Sequence, residues 1–370
     1  MKIIIAGDFV PNGRLRSSIE QNKFEEIFDP GIPEIIRSAD FSFVNLEAPI
    51  IIDSCKPIRK CGPNLEVPNK TIEAIKYLGF TGVTLANNHI LDFGEQGLNN
   101  TIQRCFDAGL DVVGAGSNVS NASSTLVLKC GERKLAVINC CEHEFSIAAS
   151  TTAGANPLNP IQQFYAIREA RKLADKVIVI VHGGHECYQL PSPRMKEIYR
   201  FFVDAGADAV INHHQHCYSG YEFCEGKSIF YGLGNFCFDK VSQSLPSSWN
   251  YGYMVELLLD DEITFKLHPY HQCGAKPEVK LLSCDAFNDE LQKLNDIIGD
   301  DKKLQGATEA YYKTCTSSEI STMEPYVGRV LGKLYQLHLL PSFVQGRRIP
   351  VLLNHIECES HRDKLVYALK

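Results

Sequence analysis

Short apolar runs recur along the first 270 residues, and polar residues with chemistry of their own close them. Ile3–Ala6 ends in Gly7 and Asp8, residues 40–44 lead to Asn45, Leu46 and Glu47, and Gly82–Ala86 leads to Asn87, Asn88 and His89. Val177–Val181 runs straight into His182, and the stretch from Ala207 closes in His213, His214 and His216. Apolar runs of this length predict buried strands. Between them, apolar residues fall at helical spacing: Ile72, Ile75 and Leu78 behind a cap at Asn69 and before Gly79; Leu98, Ile102 and Phe106; Phe164, Ile167 and Leu173; and Ile198, Phe201, Phe202 and Ala205 behind Ser192-Pro193. Strands alternating with helices predict a layered α/β domain. Two hairpins are expected as well, one turning at Gly131 and one around residues 260–262. From about Lys276 the pattern turns helical, with Phe287, Leu291, Leu294 and Ile298 and then Val327, Val330, Leu331 and Leu334. A domain over 1–275 and a helical accessory region over 276–370 follow.

Composition narrows the class. The chain is 44% hydrophobic and 22% charged, which suits a globular protein, and its net charge of -7 opposes a nucleic-acid footprint. No apolar window reaches the length of a membrane span. Fourteen cysteines are scattered without a C-x-x-C pair, so a disulfide framework is not expected and a reducing, cytoplasmic compartment is. The apolar run at the N-terminus is too short for a signal peptide.

The strand ends carry the functional argument. In layered α/β proteins the loops beyond the carboxyl ends of strands line the ligand crevice, so Asp8, Glu47, the Asn88/His89 pair, His182, His214 and His216 would converge. Buried carboxylates and imidazoles cost free energy unless something compensates them, and a cation does. If the stretch through His216 is extended, His214 and His216 face one side and His213 the other. Residues 50–68, rich in Pro, Cys and charge, read as an irregular loop over this site. Arg14, in the turn after Asp8, is a candidate contact for an anionic substrate. Glu142, His143 and Glu144 read as a solvated loop in preference to a border of the pocket.

Taken in order, G-D at 7–8, N-L-E at 45–47, A-N-N-H-I-L-D-F-G at 86–94, H-G-G-H-E at 182–186, D-A-G-A-D-A-V-I-N-H-H-Q-H at 204–216 and Y-G-L-G-N-F at 231–236 resemble the CapA family. These are poly-γ-glutamate capsule synthesis proteins related to calcineurin-like metallophosphoesterases. The resemblance spans roughly residues 1–270. It implies a four-layer α/β/β/α sandwich with a site for one or two divalent cations, Mn, Fe or Zn. By motif, Asp8 and His216 would hold one cation, Asn88, His182 and His214 the other, and Glu47 would bridge. His89 would stand beside the leaving group, and Asn45, Asn87, Glu186, His213 and Asn235 count as supporting residues. Val10 stands where the superfamily's D-x-H opening has a histidine, which leaves one position a ligand short. The function implied is a metal-dependent, phosphoesterase-like hydrolase of an anionic small molecule or polymer precursor, linked to capsule synthesis. The alternative is a non-catalytic metal- or polymer-binding assembly subunit that partners the synthesis proteins.

Overall fold

The apolar runs assemble into two sheets packed face to face. A computed structural model describes residues 1–240, 245–283, 285–326, 328–346 and 348–369, with only the backbone of 286, 329 and 359; Val327 of the expected helical series lies outside the described residues. In the first sheet Lys2–Val10 is central, with Phe41–Leu46, Gly82–Thr84 and Asp111–Val113 following in parallel on one side. On its other side Tyr251–Leu259, Ile263–Gln272 and Val279–Leu281 run antiparallel. The second sheet has the parallel core Arg133–Cys141, Lys176–His182, Ala209–His213 and Lys227–Phe230, edged by Leu126–Cys130 and Tyr221–Cys224.

Side-chain alternation sorts these strands into layers. Ile3 and Ile5 face Leu135, Val137, Ile178, Ile180, Ala209 and Ile211 in the core between the sheets. The opposite faces, Ile4 and Ala6, pack on helical residues such as Ile19, Ile36, Ile75, Leu78 and Leu98. On the far side, helices Pro160–Leu173 and Pro193–Ala205 cover the second sheet. The order is therefore helix, sheet, sheet, helix, the four-layer α/β/β/α arrangement.

Most local expectations hold, with informative exceptions. Ser192 caps its helix by accepting from Met195 N, and Gly79 ends the helix Thr71–Leu78 at φ 96°. That helix is not capped by Asn69: Lys70 occupies the cap position and offers no side-chain bond. The strand at 82 stops at Thr84, two residues early. The strand Val279–Leu281, missed from sequence, is too short to show a period, and it carries the layered unit past the boundary expected near 275. Two compact units are distinguished, Met1–Leu304 and Gln305–Lys370, and the second is helical. Among the described residues no helix is long and apolar enough to cross a membrane.

Candidate metal centre

Backbone geometry at the strand ends aims the side chains. A bulge interrupts the register at Asp8 and turns its carboxylate out of the sheet's alternation. The preceding residue must be glycine, because a Cβ at Gly7 would collide with the carbonyl oxygen of Gly234. At the histidine cluster the strand ends at His213, and His214 (φ 90°) and His216 (φ 56°) are both left-handed. The extended-strand reasoning for that pair is thus corrected. A strained turn, costly for non-glycine residues, brings the two rings to 6.1 Å between centroids.

The side chains so placed form two donor sets that share one carboxylate. Glu47, His182 and His214 offer ligand atoms within 4.8 Å of one another, and so do Asp8, Glu47 and His216. In the first set His182 Nε2 lies 3.4 Å from Glu47 Oε1 and 3.1 Å from His214 Nδ1, and Asn88 Oδ1 is 3.1 Å from the same His182 nitrogen. Separations near 3 Å are those of donors about 2.1 Å from a common centre. The second set is looser: His216 Nδ1 lies 3.4 Å from Asp8 Oδ2, and its Nε2 lies 3.8 Å from Glu47 Oε1.

Supporting residues hold these groups in place. Asn45 donates to Asp8 Oδ1 (2.7 Å) and lies 3.2 Å from His182 Nδ1, and its own oxygen accepts from Asn87. Asn235 accepts from His216 Nδ1 (2.9 Å), which leaves Nε2 turned to Glu47. His213 sits 3.5 Å from Asp8. Glu186 lines, with His89, His216, Phe238 and Trp249, a cleft of 330 Å³ next to the cluster.

Electrostatics sharpen what the cluster lacks. Glu47 is fully buried, and neither of its oxygens has a hydrogen-bond partner among the described residues. Burial, with the charges of Asp8, Glu186 and Glu144, pushes its carboxyl well above the usual range. Burial also opposes ionisation of Asp8, but the rings of His213 and His216, at 3.5 and 3.4 Å, together with that of His182, outweigh it and hold that carboxyl well below its usual range. Burial lowers His182 and His214, which keeps them as neutral imidazoles able to donate a lone pair. On His216 burial acts the same way, but Asp8 more than offsets it and the ring lies above its usual value. The upward shifts at Glu47 and His216 favour protons that a cation would displace, so the residues present fit a divalent ion.

One sequence-predicted contact is not brought to the site. The Arg14 guanidinium lies 2.7 Å from Asp239 Oδ1 and donates to the carbonyls of Cys273, Gly274 and Ala275, so its charge is neutralised inside the protein. Two further residues reach the site. Glu144 accepts from Asn88 (3.1 Å) and stands 3.5 Å from His214 Nε2, although its E-H-E segment reads as a solvated loop. Lys60, within the loop over the site, comes 3.1 Å from His89 Nδ1, and no local sequence signal marks it. Val10 is fully buried and pairs with Phe238, so it adds no donor.

The bacterial capsule synthesis protein family PGA_cap matches residues 2–240. The chain belongs to that family. Every residue of the two donor sets lies within the matched span. The capsule biosynthesis protein CapA of Bacillus anthracis is 29% identical over 248 residues, 65% of this chain and 60% of that protein. The PGA biosynthesis protein CapA of Bacillus subtilis (strain 168) is 31% identical over 241 residues, 63% of this chain and 62% of that protein. The chain thus spans about three fifths of the length of these PGA_cap relatives. Among solved structures, a novel phosphatase from Mycoplasma pneumoniae aligns over 73% of this chain and 92% of its own, at 17% identity and a TM-score of 0.45.

Proposed function

We propose that this PGA_cap protein is a divalent-metal-dependent hydrolase acting on a phosphoester or phosphate-bearing precursor in capsule or poly-γ-glutamate synthesis. The observation that carries the reading is Glu47, a buried carboxylate without a partner, shared between two donor sets. Asp8, Glu47 and His216 would hold one ion, and Glu47, Asn88, His182 and His214 the other; nitrogen and oxygen donors without thiolate suit Mn, Fe or Zn. When bound, such ions supply Lewis acidity, neutralising charge on phosphoryl oxygens and acidifying water. His89, at the cleft beside them, gives a proton to the leaving oxygen or stabilises its charge. The cleft that His89 lines joins apolar walls at Leu65, Phe238 and Trp249 to the charged groups Glu186 and Lys240. Scattered cysteines without C-x-x-C spacing favour a reducing, cytoplasmic setting. Elemental analysis of purified protein together with turnover across a phosphoester panel tests the reading: stoichiometric metal with turnover supports it, and full metal occupancy without turnover counts against it.

Val10 favours a second reading. With an apolar side chain where a histidine would complete it, the set of Asp8, Glu47 and His216 has three residues, which suits an assembly subunit that binds metal or an anionic polymer without cleaving it. Co-purification with a synthase, and an intact pathway in a His89→Ala strain, would favour this alternative.

A further inference from the structure

Residues 59–63, in the loop over the site, are mostly exposed, yet one side chain among them is not. Arg59, Cys61, Gly62 and Pro63 face solvent, while the side chain of Lys60 between them is 2% exposed. An ammonium taken out of water carries a large desolvation cost unless an opposite charge meets it. Asp92 does, with Oδ1 2.5 Å from Lys60 Nζ, and the ring of Phe145 lies 5.5 Å from the same nitrogen. The second oxygen of Asp92 is turned elsewhere: Oδ2 accepts from Leu65 N (2.6 Å) and lies 2.6 Å from His89 Nδ1.

The 2.6 Å contact needs a proton between nitrogen and oxygen, so Nδ1 of His89 is the donor and Nε2 is turned away from Asp92; Nε2 gives a proton to a leaving oxygen only after it has taken one up, and Asp92 Oδ2 steadies the ring in that state. Lys60 Nζ also comes within hydrogen-bonding distance of Nδ1, 3.1 Å, because both groups share one carboxylate; with its proton directed at Asp92, Nδ1 has no lone pair to accept from the ammonium. The same aspartate fastens the loop, since its carbonyl accepts from Ile58 N (2.9 Å) and Asn64 Nδ2 (2.9 Å).

We propose that Lys60 is a positioning residue of the site: by holding Asp92 Oδ1 it fixes the carboxylate so that Oδ2 selects one tautomer and one ring orientation of His89. Its catalytic part rests on the role given to His89 above; its structural part does not. Lys60 touches none of the six residues assigned to the metals, so metal binding is independent of it.

The test uses the full chain with ¹⁵N-labelled histidine, with His89 assigned from the His89→Gln spectrum. In the metal-free wild type the imidazole nitrogens of His89 report the Nδ1–H tautomer alone. Lys60→Met gives a mixture of tautomers, and Lys60→Arg restores the single form. In metal-loaded protein Lys60→Met lowers kcat about 10- to 100-fold, the range for residues that orient a functional group, with metal content unchanged and KM within about threefold. Lys60→Ala serves as the second variant should methionine fail to seat in the buried position. A single, wild-type tautomer in the folded Met or Ala variant overturns the proposal. Absence of turnover in the wild type would sink the hydrolase reading instead, and the tautomer spectrum would still decide the role of Lys60.

Discussion

Glu47 and Asp239 are both buried carboxylates near the candidate site, and their surroundings are opposite. Asp239 accepts from the backbone N–H of Arg14 (2.6 Å) and from its guanidinium at 2.7–3.1 Å, while the remaining Arg14 donors reach three carbonyls. Among the described residues none donates a hydrogen bond to Glu47; the nearest ring nitrogens are those of His182 at 3.4 Å and His216 at 3.8 Å, and Asp8 repels it. A charge completed by the protein is architecture. One left incomplete at full burial calls for something from outside, because an unpaired buried ion is otherwise a pure cost.

The sharpest way to break this contrast is to neutralise Glu47. In Glu47→Gln, bound metal falls to background and turnover with it, while the metal-free variant unfolds no more easily than metal-free wild type, since a buried carboxyl that no described residue hydrogen-bonds is replaced by an amide of the same shape. Elemental analysis and thermal unfolding in chelator measure both. Unchanged metal content would mean that Glu47 is not the shared ligand. Next in size is His89→Ala, which leaves the donor sets whole: kcat falls about 10²- to 10⁴-fold, as for loss of a general acid, and metal content does not move. Loss of metal in that variant would erase the division between holding the ion and handling the proton.

The contrast also marks how far sequence can be read. Asp8, Glu47, Asn88 and His182 were legible because each ends an apolar run, and sheet topology carries strand ends to one edge whatever the loops do. His214 and His216 were legible as residues but not as geometry, since the left-handed turn that joins them is a tertiary outcome with no periodic signature. Lys60, Glu144 and the partnership of Arg14 with Asp239 were not legible. Each depends on a contact between loops, and Arg14 finds its partner 225 positions away. The helix Asp285–Ile298 was legible, but its membership of the layered unit was not: Phe287 and Leu291 join the core between the sheets, and the link from Asn295 Oδ1 to Tyr221 N has no local signal.

Removal of metal from wild type gives a smaller effect than either substitution. With free metal at 100 times its dissociation constant, occupancy contributes about 2.7 kcal/mol to stability, and chelation removes it. Glu47→Gln shows no such loss. Thermal unfolding with and without chelator reads the difference, and equal shifts in the two proteins would place the binding elsewhere.

The smallest effect tests the other side of the comparison. If the Arg14–Asp239 pair is architecture, Arg14→Met strands a buried carboxylate and lowers stability, by about 1–3 kcal/mol rather than the full value for a buried pair because the Arg14 side chain is 36% exposed. KM for an anionic substrate then stays within about twofold of wild type, since the guanidinium is already neutralised and held by three carbonyls. Denaturant unfolding and steady-state kinetics on the same preparation separate the cases. A tenfold rise in KM with stability intact would return Arg14 to the substrate and show that a fully partnered charge can still serve binding, which would weaken the inference drawn from Glu47 as well.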